Sequence, residues 1–512
     1  MAAKGKKRSK RREIEIDLGE LDKVVKASKE RVLSKKEHRV LKDAQEVINR
    51  LQPNKSSESS KALNGDPPKE EAKPRKGSGR RPRTDFPNAE TVDVPHPDYK
   101  AGDVCPCGKG KLYPLKRPLF HRYFRGQPPL GVKIFLKEQL RCNCCERVLT
   151  APLPEGVGPG SYDASAISTF AFSKYGLGMP MYRQALQYAA MGMPVSVAVI
   201  YAEMAAAVPQ LQPMCDHLRE LAAQGTVAYF DDTSMPILKF ERDADDNRTS
   251  LQTTGIVSEY QDYKIALFIT GRKHAGENRK EFLDERPPDL PKLIQMSDAL
   301  SANFAYIPEG ELIALCLAHG RRNFVKIIDS FPDECRLIIK VIALVYHNDS
   351  FCREHGFSPG QRLAHHQAVS QPLMDELKIW LDQQIVGKHV EPNNPLGKAI
   401  QYLRNHWVGL TLFLREPNAP LDSNAVERIL KKVVLHRKNS LFFKTARGAK
   451  VGDAYLTLIV TCQLNKGNPH EYLTELQYNH EAVKANPGDW LPWTYKATLQ
   501  RISTPAKELA VA

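Results

Sequence analysis

The sequence predicts an α/β protein: a sheet core interrupted by a large all-helical insertion, preceded by a cysteine-bearing ribbon and N-terminal helices. Three observations predict it. From Thr226 onward, short apolar runs alternate with helical stretches, as in a layered α/β core. Residues 330–416 carry helical periodicity alone. Five cysteines, Cys105, Cys107, Cys142, Cys144 and Cys145, fall within 41 residues, too clustered for core packing.

A chain of 512 residues is long enough for about three or four folded units. Its formal net charge is +15. Such a surplus points to a polyanionic partner, because each neutralised phosphate releases a counterion. No apolar run reaches the roughly 18 residues of a membrane span. The basic start, residues 1–12, lacks the apolar stretch of a secretory signal. Ten cysteines are too sparse for a disulfide scaffold, so a reducing compartment is expected and clustered thiols read as metal ligands.

The charge is uneven: residues 1–100 hold 26 Lys and Arg against 17 Asp and Glu. Residues 1–52 read as a basic arm and an amphipathic helix. The helix stripe of Leu33, Val40, Leu41, Ala44, Val47, Ile48 and Leu51 suits docking on the chain's own body or pairing with a second copy as a short coiled coil. Residues 53–87, rich in Ser, Pro, Lys and Glu, read as a flexible basic linker. It ends near Arg80, Arg81 and Arg83, an Arg-rich segment that fits a narrow DNA minor groove or a plain basic linker. In residues 88–158, Cys105 and Cys107 on one turn and Cys142 and Cys145 on another predict a structural zinc ribbon, joined by alternating apolar and polar residues. Cys144 is an alternative ligand, because the single-residue gap between Cys105 and Cys107 is tight. Residues 159–224 read as short helices over 166–175, 181–191 and 195–208. They suit a DNA-reading helix-turn-helix or a helical layer against the next unit.

The first part of the core spans residues 225–329. Strands are predicted over 227–230, 251–257 and 263–270, then a helix over 277–284, a strand over 292–296 and a fifth strand over 311–317. This order is that of a ribonuclease-H-like domain. It ends two strands on carboxylates, Asp231 and Asp298, 67 residues apart. In that topology the first and fourth strands are neighbours, so the two side chains meet. Paired oxygen donors there suit Mg²⁺, which takes its other ligands from water and phosphate. A third carboxylate is expected from a helix across the groove: Glu427, in a helix capped by Asp422 or Ser423 with Val426, Ile429 and Leu430 on its apolar face. Asp231 is chosen over Asp232 because successive strand residues point to opposite sides. Residues 330–416 form the helical insertion, with Trp380 and Trp407 in its core. Residues 417–464 return to the core. There Arg428, Arg437, Lys438, Asn439 and Lys444, beside Phe442 and Phe443, are expected to hold DNA phosphates. Arg321 and Arg322, at a helix start, suit phosphates or surface ion pairs. Residues 465–512 read as a tail.

The segments Tyr229-Phe-Asp-Asp-Thr233, Gln295-Met-Ser-Asp-Ala299, Cys316-Leu-Ala-His-Gly-Arg-Arg-Asn-Phe324, Leu421-Asp-Ser-Asn-Ala-Val-Glu-Arg-Ile-Leu430 and His436-Arg-Lys-Asn-Ser-Leu-Phe-Phe443 follow one another along the chain. They resemble the successive signatures of the insertion-sequence-66 family of bacterial DDE transposases, and the similarity runs from the cysteine cluster to about Leu473. The resemblance implies that Asp231, Asp298 and Glu427 are the acidic triad, holding two Mg²⁺ ions per site with Mn²⁺ able to substitute. It also implies the ribbon, the N-terminal helix and the helical insertion. The family usually has Glu where Asp232 stands, and a second Asn where Ser423 stands. Cys316 and His319 resemble a Cys-x-x-His element found after the second Asp in several DDE groups. Two ligands are too few for zinc, so His319 is read as a structural or DNA-positioning residue and Cys316 as a buried thiol.

The expected protein is a transposase that binds double-stranded DNA, both transposon ends and target. Its expected partners are a second copy or more of itself and element-encoded accessory proteins, in the bacterial cytoplasm at the nucleoid. The implied reaction is two-metal hydrolysis followed by strand transfer, with no covalent protein–DNA intermediate. Two other readings stand beside it: a catalytically inactive DNA-binding protein on the same scaffold, and a ribonuclease-H-type nuclease.

Overall fold

The computed structural model describes residues 97–503 apart from 108, 114–128, 142, 144–147, 241–250 and 300–309. The basic arm, the amphipathic helix, the linker with Arg80, Arg81 and Arg83, and the ribbon cysteines Cys142, Cys144 and Cys145 lie outside the described residues.

A short antiparallel hairpin comes first, β1 (Gln139–Arg141) with β2 (Val148–Thr150). The alternating residues before it, 131–138, are not a strand; only the last three of the run have a ladder partner. Then come α1 (Ala164–Ala171), α2 (Met181–Ala190) and α3 (Val197–Ala223). The third helix was expected to stop near residue 208 but continues through Pro209 and Pro213. Each proline removes a backbone donor. Burial of Leu211, Met214, Leu218 and Leu221 on one face offsets that loss.

The central sheet is built from β3 (Val227–Ser234), β5 (Gln252–Tyr260), β6 (Tyr263–Gly271), β7 (Ile294–Ser297) and β8 (Leu312–Leu315), with a separate short strand β4 (Ile237–Lys239) and the helix α4 (Ala275–Asp284) in between. Its order is β6-β5-β3-β7-β8. β3–β5 and β5–β6 are antiparallel, whereas β7 runs parallel to β3 and β8 parallel to β7. Residues 227–230, 253–258 and 265–268 are buried without alternation, so both sheet faces are covered there. All five expected strands are present.

β8 runs into α5 (Leu317–Val325), and the insertion after it is helical among the described residues: α6 (Pro332–Glu354), α7 (Pro359–His365), α8 (Gln371–Val386), α9 (Pro395–Asn405) and α10 (Trp407–Leu410). Asp349 of α6 ties it together. Its carboxylate accepts from Arg362 Nε at 2.7 Å, pairs with His366 Nε2 at 3.3 Å and with Arg353 at 3.2 Å. Trp380 and Trp407 are only half-buried. The fully buried tryptophan is Trp490, in the stretch expected to be a tail. That stretch is folded: after α11 (Asn424–Ser440), β9 (Phe443–Thr445) and α12 (Ala446–Leu464) come α13 (Pro469–Tyr478), α14 (His480–Ala485) and α15 (Tyr495–Ser503). α13 packs on α1 and α3, burying Tyr472. These helices are short and broken by Asn, Pro and Gly, which hides their period. β9 pairs with β4 in a small parallel sheet.

α12 covers the open edge of β6. The backbone N–H groups of Lys264, Ala266, Phe268 and Thr270 donate to Asn465 Oδ1 (3.1 Å), Thr461 Oγ1 (3.0 Å), Thr457 Oγ1 (3.3 Å) and Asp453 Oδ2 (2.8 Å). Every second strand residue meets every fourth residue of the helix and its C-terminal neighbour, because about 6.6 Å of strand matches about 6 Å of helix. An edge that would template strand pairing is thereby closed.

Two predictions follow from these contacts. Thr461→Val keeps the shape but strands the Ala266 N–H, and should cost about 1–3 kcal/mol in chemical denaturation; an unchanged midpoint would contradict the edge-sealing role. For Asp349, burial acts first and raises the pKa, but the His366 hydrogen bond and the charges of Arg362 and Arg353 outweigh it and hold the group at about 2. Its folded pKa lies below the ordinary 3.8, so its stabilisation is complete above about pH 4 and lost as pH falls through 2. Denaturant melts over that window should lose about 2 kcal/mol, and Asp349→Asn should flatten that decline.

Candidate active site

Two carboxylates are set by strand register. β3 and β7 pair so that Val227 faces Ile294, Ala228 faces Gln295 and Tyr229 faces Met296, an offset of 67 throughout. The same offset separates Asp231 from Asp298, so continuing the register sets them side by side on one face, where neighbouring strands run about 4.8 Å apart. Asp231 follows four fully buried residues of β3, and Asp298 directly follows the last residue of β7. Both emerge where the strands leave the core.

Asp232 points the other way and is fully engaged. Its Oδ1 accepts from Thr254 Oγ1 at 2.6 Å, and its Oδ2 accepts from the Ala275 N–H at 2.6 Å and lies 3.5 Å from His274 Nδ1. It ties β3 to β5 and to the start of α4. Asp231 accepts from the Asp232 N–H at 2.8 Å.

Glu427 arrives on α11, which lies against β3 and β5. The approach is close because Gly255, the antiparallel partner of Asp231, has no side chain. A Cβ there would stand 2.8 Å from Leu430 Cδ2 and 3.3 Å from Val426 Cγ2. The helix start is stitched to the start of α5: Leu317 N–H donates to Leu421 O at 2.9 Å, and Ser423 N–H donates to Cys316 Sγ at 3.3 Å. Of the two expected caps, Asp422 Oδ1 accepts from the Asn424 N–H at 3.0 Å, while Ser423 Oγ donates to Glu427 Oε1 at 3.3 Å. His319 Nδ1 lies 3.8 Å from Glu427 Oε1, and Arg322 lies 3.9 Å from Oε2.

The charges crowd. Burial pushes the Asp231 carboxyl up, the Asp232 N–H pulls it back, and the negative charges of Asp298, Glu427 and Asp232 add to the rise, leaving it at about 7. Besides Arg322, a buried positive charge lies close by. Arg279 of α4 is 1% exposed, its guanidinium 4.7 Å from the Phe230 ring, and Asp298 offsets part of the fall that burial imposes on its pKa. The sequence reading missed Arg279, since α4 looks like an ordinary polar helix. The oxygen-only set of Asp231, Asp298 and Glu427, partly buried and self-repelling, fits a hard divalent cation.

The expected DNA contacts divide. Arg437 binds the end of β3, donating to Thr233 Oγ1 at 3.2 Å, Ser234 Oγ at 2.6 Å and the Ser234 carbonyl. Asn439 Nδ2 donates to Gly178 O at 2.9 Å. Arg428, Lys438 and Lys444 are exposed, and Arg321 is half-buried. Cys105 and Cys107 share a tight turn, closed by the Val104–Lys111 bridge and by Cys105 N–H donating to Gly110 O at 2.7 Å. Hydrogen bonding from the Lys109 backbone, then from the Cys105 side chain, holds the Cys107 thiol below its ordinary pKa.

Gly255→Ala tests the close approach. The added methyl should displace Leu430 and lower stability by about 1–3 kcal/mol, and adding Leu430→Val should restore part of it. A Gly255→Ala protein as stable as the parent would show that the helix does not depend on this gap.

Comparison with known proteins finds relatives of this chain. Uncharacterized protein y4hP of Sinorhizobium fredii (strain NBRC 101917 / NGR234) is 26% identical over 392 residues, 70% of this chain and 67% of the relative. Uncharacterized protein y4jD of the same strain is 25% identical over 413 residues, 77% of this chain and 78% of the relative. The profile of the Transposase IS66 family matches residues 159–451, a span that includes Asp231, Asp298, Glu427 and the whole insertion. With more than half of its length matched, the chain belongs to the Transposase IS66 family.

Proposed function

We propose that this chain is a DDE transposase that uses Asp231, Asp298 and Glu427 to hold two Mg²⁺ ions while it cuts and joins phosphodiester bonds at the ends of an insertion sequence. The observation that carries the reading is the shared register of Asp231 and Asp298 on adjacent parallel strands, with Glu427 on the helix packed against β3 and β5. The sheet order β6-β5-β3-β7-β8, antiparallel on one side and parallel on the other, supports a ribonuclease-H-like core. Bound there, Mg²⁺ or Mn²⁺ would supply Lewis-acid polarisation of phosphate oxygens and an activated oxygen nucleophile at neutral pH.

The chain's own residues do the positioning. Asp231 and Asp298 present oxygens from the sheet, and Glu427, held by Ser423 Oγ, presents its own from the helix. Asp232 anchors the end of β3 through Thr254 and Ala275. Arg279 supplies buried positive charge beside Asp298. Arg428, Lys438 and Lys444, exposed on and just beyond α11, are the side chains open to DNA phosphates. Water attacks the end phosphodiester first. The freed 3′-OH then attacks target DNA, with no protein nucleophile.

The remaining expectations join this proposal. Residues 1–52 assemble copies of the chain on DNA, the 53–87 linker reaches the minor groove through Arg80, Arg81 and Arg83, and Cys105, Cys107, Cys142 and Cys145 hold structural zinc. Residues 225–329 and 417–464 form the catalytic core around the 330–416 insertion. Among the described residues no helix is long and apolar enough to cross a membrane, and the proposed site of action is the nucleoid.

The test is strand transfer with Mg²⁺ on cognate ends. Asp231→Asn, Asp298→Asn and Glu427→Gln should each slow the reaction about a thousandfold or more, the equivalent of several kcal/mol, while still shifting end DNA in a gel. Undiminished transfer by any of them removes that residue from the catalytic set. Preferential cutting of an RNA–DNA hybrid would favour the nuclease reading.

A further inference from the structure

We propose that Cys316, His319 and Glu427 form a second cation site, specific for a zinc-class divalent ion, which shares Glu427 with the acidic centre. The sequence offers two of these ligands on one short turn; the third comes from a helix more than a hundred residues later. In the fold the Cys316 thiol, a His319 ring nitrogen and a Glu427 carboxylate oxygen all lie within 4.8 Å of one another. Tetrahedral zinc with bonds of about 2.0–2.3 Å needs ligand atoms about 3.3–3.8 Å apart. Small side-chain movements close the difference.

Independent features point to a ligand there. Among the described residues His319 Nδ1 is buried without a hydrogen-bond partner, and it lies 3.8 Å from Glu427 Oε1. A buried nitrogen left unpaired carries a desolvation cost that a metal bond would remove. Cys316 is wholly buried, and its sulfur accepts the Ser423 N–H at 3.3 Å, the kind of outer contact that orients a metal thiolate. Arg322 stands at Oε2 of Glu427, on the oxygen not facing His319.

The donor set decides the ion. One sulfur, one nitrogen and one oxygen suit Zn²⁺ or Co²⁺ and suit Mg²⁺ poorly. Three protein ligands leave a fourth position open to water or to a phosphate oxygen. Cys316 releases its proton to solvent as the sulfur–metal bond forms. The consequence for catalysis rests on the transposase reading: a zinc-class ion holding Glu427 withdraws it from Asp231 and Asp298, so zinc opposes magnesium-dependent cleavage.

The experiment is a Co²⁺ titration of the full chain followed by absorption spectroscopy, comparing the parent with Cys316→Ser, His319→Asn and Glu427→Gln. Ribbon thiols contribute equally to all four proteins, so difference spectra isolate this site. The parent minus Cys316→Ser should show a thiolate-to-cobalt charge-transfer band. Excess Zn²⁺ should erase it and excess Mg²⁺ should not. His319→Asn and Glu427→Gln should weaken the cobalt affinity of this band more than about tenfold, the lower end of the loss for an outer-shell partner. Circular dichroism melts establish that each variant is folded. A featureless difference spectrum between folded proteins, or an unchanged cobalt stoichiometry in Cys316→Ser, overturns the proposal. In a cleavage assay with Mg²⁺, with each protein compared with its own zinc-free rate, added Zn²⁺ should inhibit the parent strongly and Cys316→Ser far less; equal fractional inhibition of the two would contradict the link to catalysis. A chain that binds cobalt at this site but never cleaves DNA would sink the transposase reading and leave the metal site standing.

Discussion

The candidate site depends on one hydrogen-bonded register, that of β3 with β7. Two carboxylates a strand spacing apart repel, and on a flexible loop they would turn away from each other. Here the backbone ladder from Val227 to Tyr229 holds them in place. A slip of one residue would carry Asp231 to the other face and bring Asp232 round instead. Asp232 holds β3 from its other side, through its bonds to Thr254 of β5 and to the Ala275 N–H, which a slip of β3 would break.

The second constraint is the height of α11 above the sheet. Gly255 sits opposite Asp231 in the ladder and beneath Leu430, so one missing Cβ sets how near Glu427 comes to the aspartates. The other side of the sheet is equally constrained, since Asp453, Thr457, Thr461 and Asn465 bind the free edge of β6. A sheet sealed at its edge and pressed by a helix beside its polar end is a rigid support for charges that repel. Arg279 lowers the cost of that repulsion from within the core.

Much of this was legible in the residues. Continuous apolar runs marked the strands, because a strand covered on both faces needs no alternation. Asp231 and Asp298 stood out as carboxylates following apolar runs, although β3 continues past Asp231 to Ser234, and Glu427 as the acid of a helix whose start carries Asp422 and Ser423. Other features depend on partners distant in the chain and left no local trace. Gly255 reads as an ordinary strand glycine until Leu430 is seen above it. Arg437 and Asn439 read as phosphate ligands by type; the bonds they make to the end of β3 and to the Gly178 carbonyl had no local sign in the sequence. Charge can be counted in a sequence, but the partner that absorbs it cannot. The folded stretch after residue 465 was missed for a related reason: its buried residues Tyr472, Trp490 and Tyr495 are widely spaced in sequence and meet one another only once the chain folds back, with the Tyr472 ring 5.2 Å from that of Tyr495.

The most direct measurement is anomalous scattering from crystals of the full chain grown with Mn²⁺. The account predicts manganese peaks between Asp231 and Asp298, with Glu427 reaching the same pair, at bond lengths of about 2.0–2.3 Å. Manganese bound elsewhere, with these three carboxylates uncoordinated at saturating metal, would contradict it.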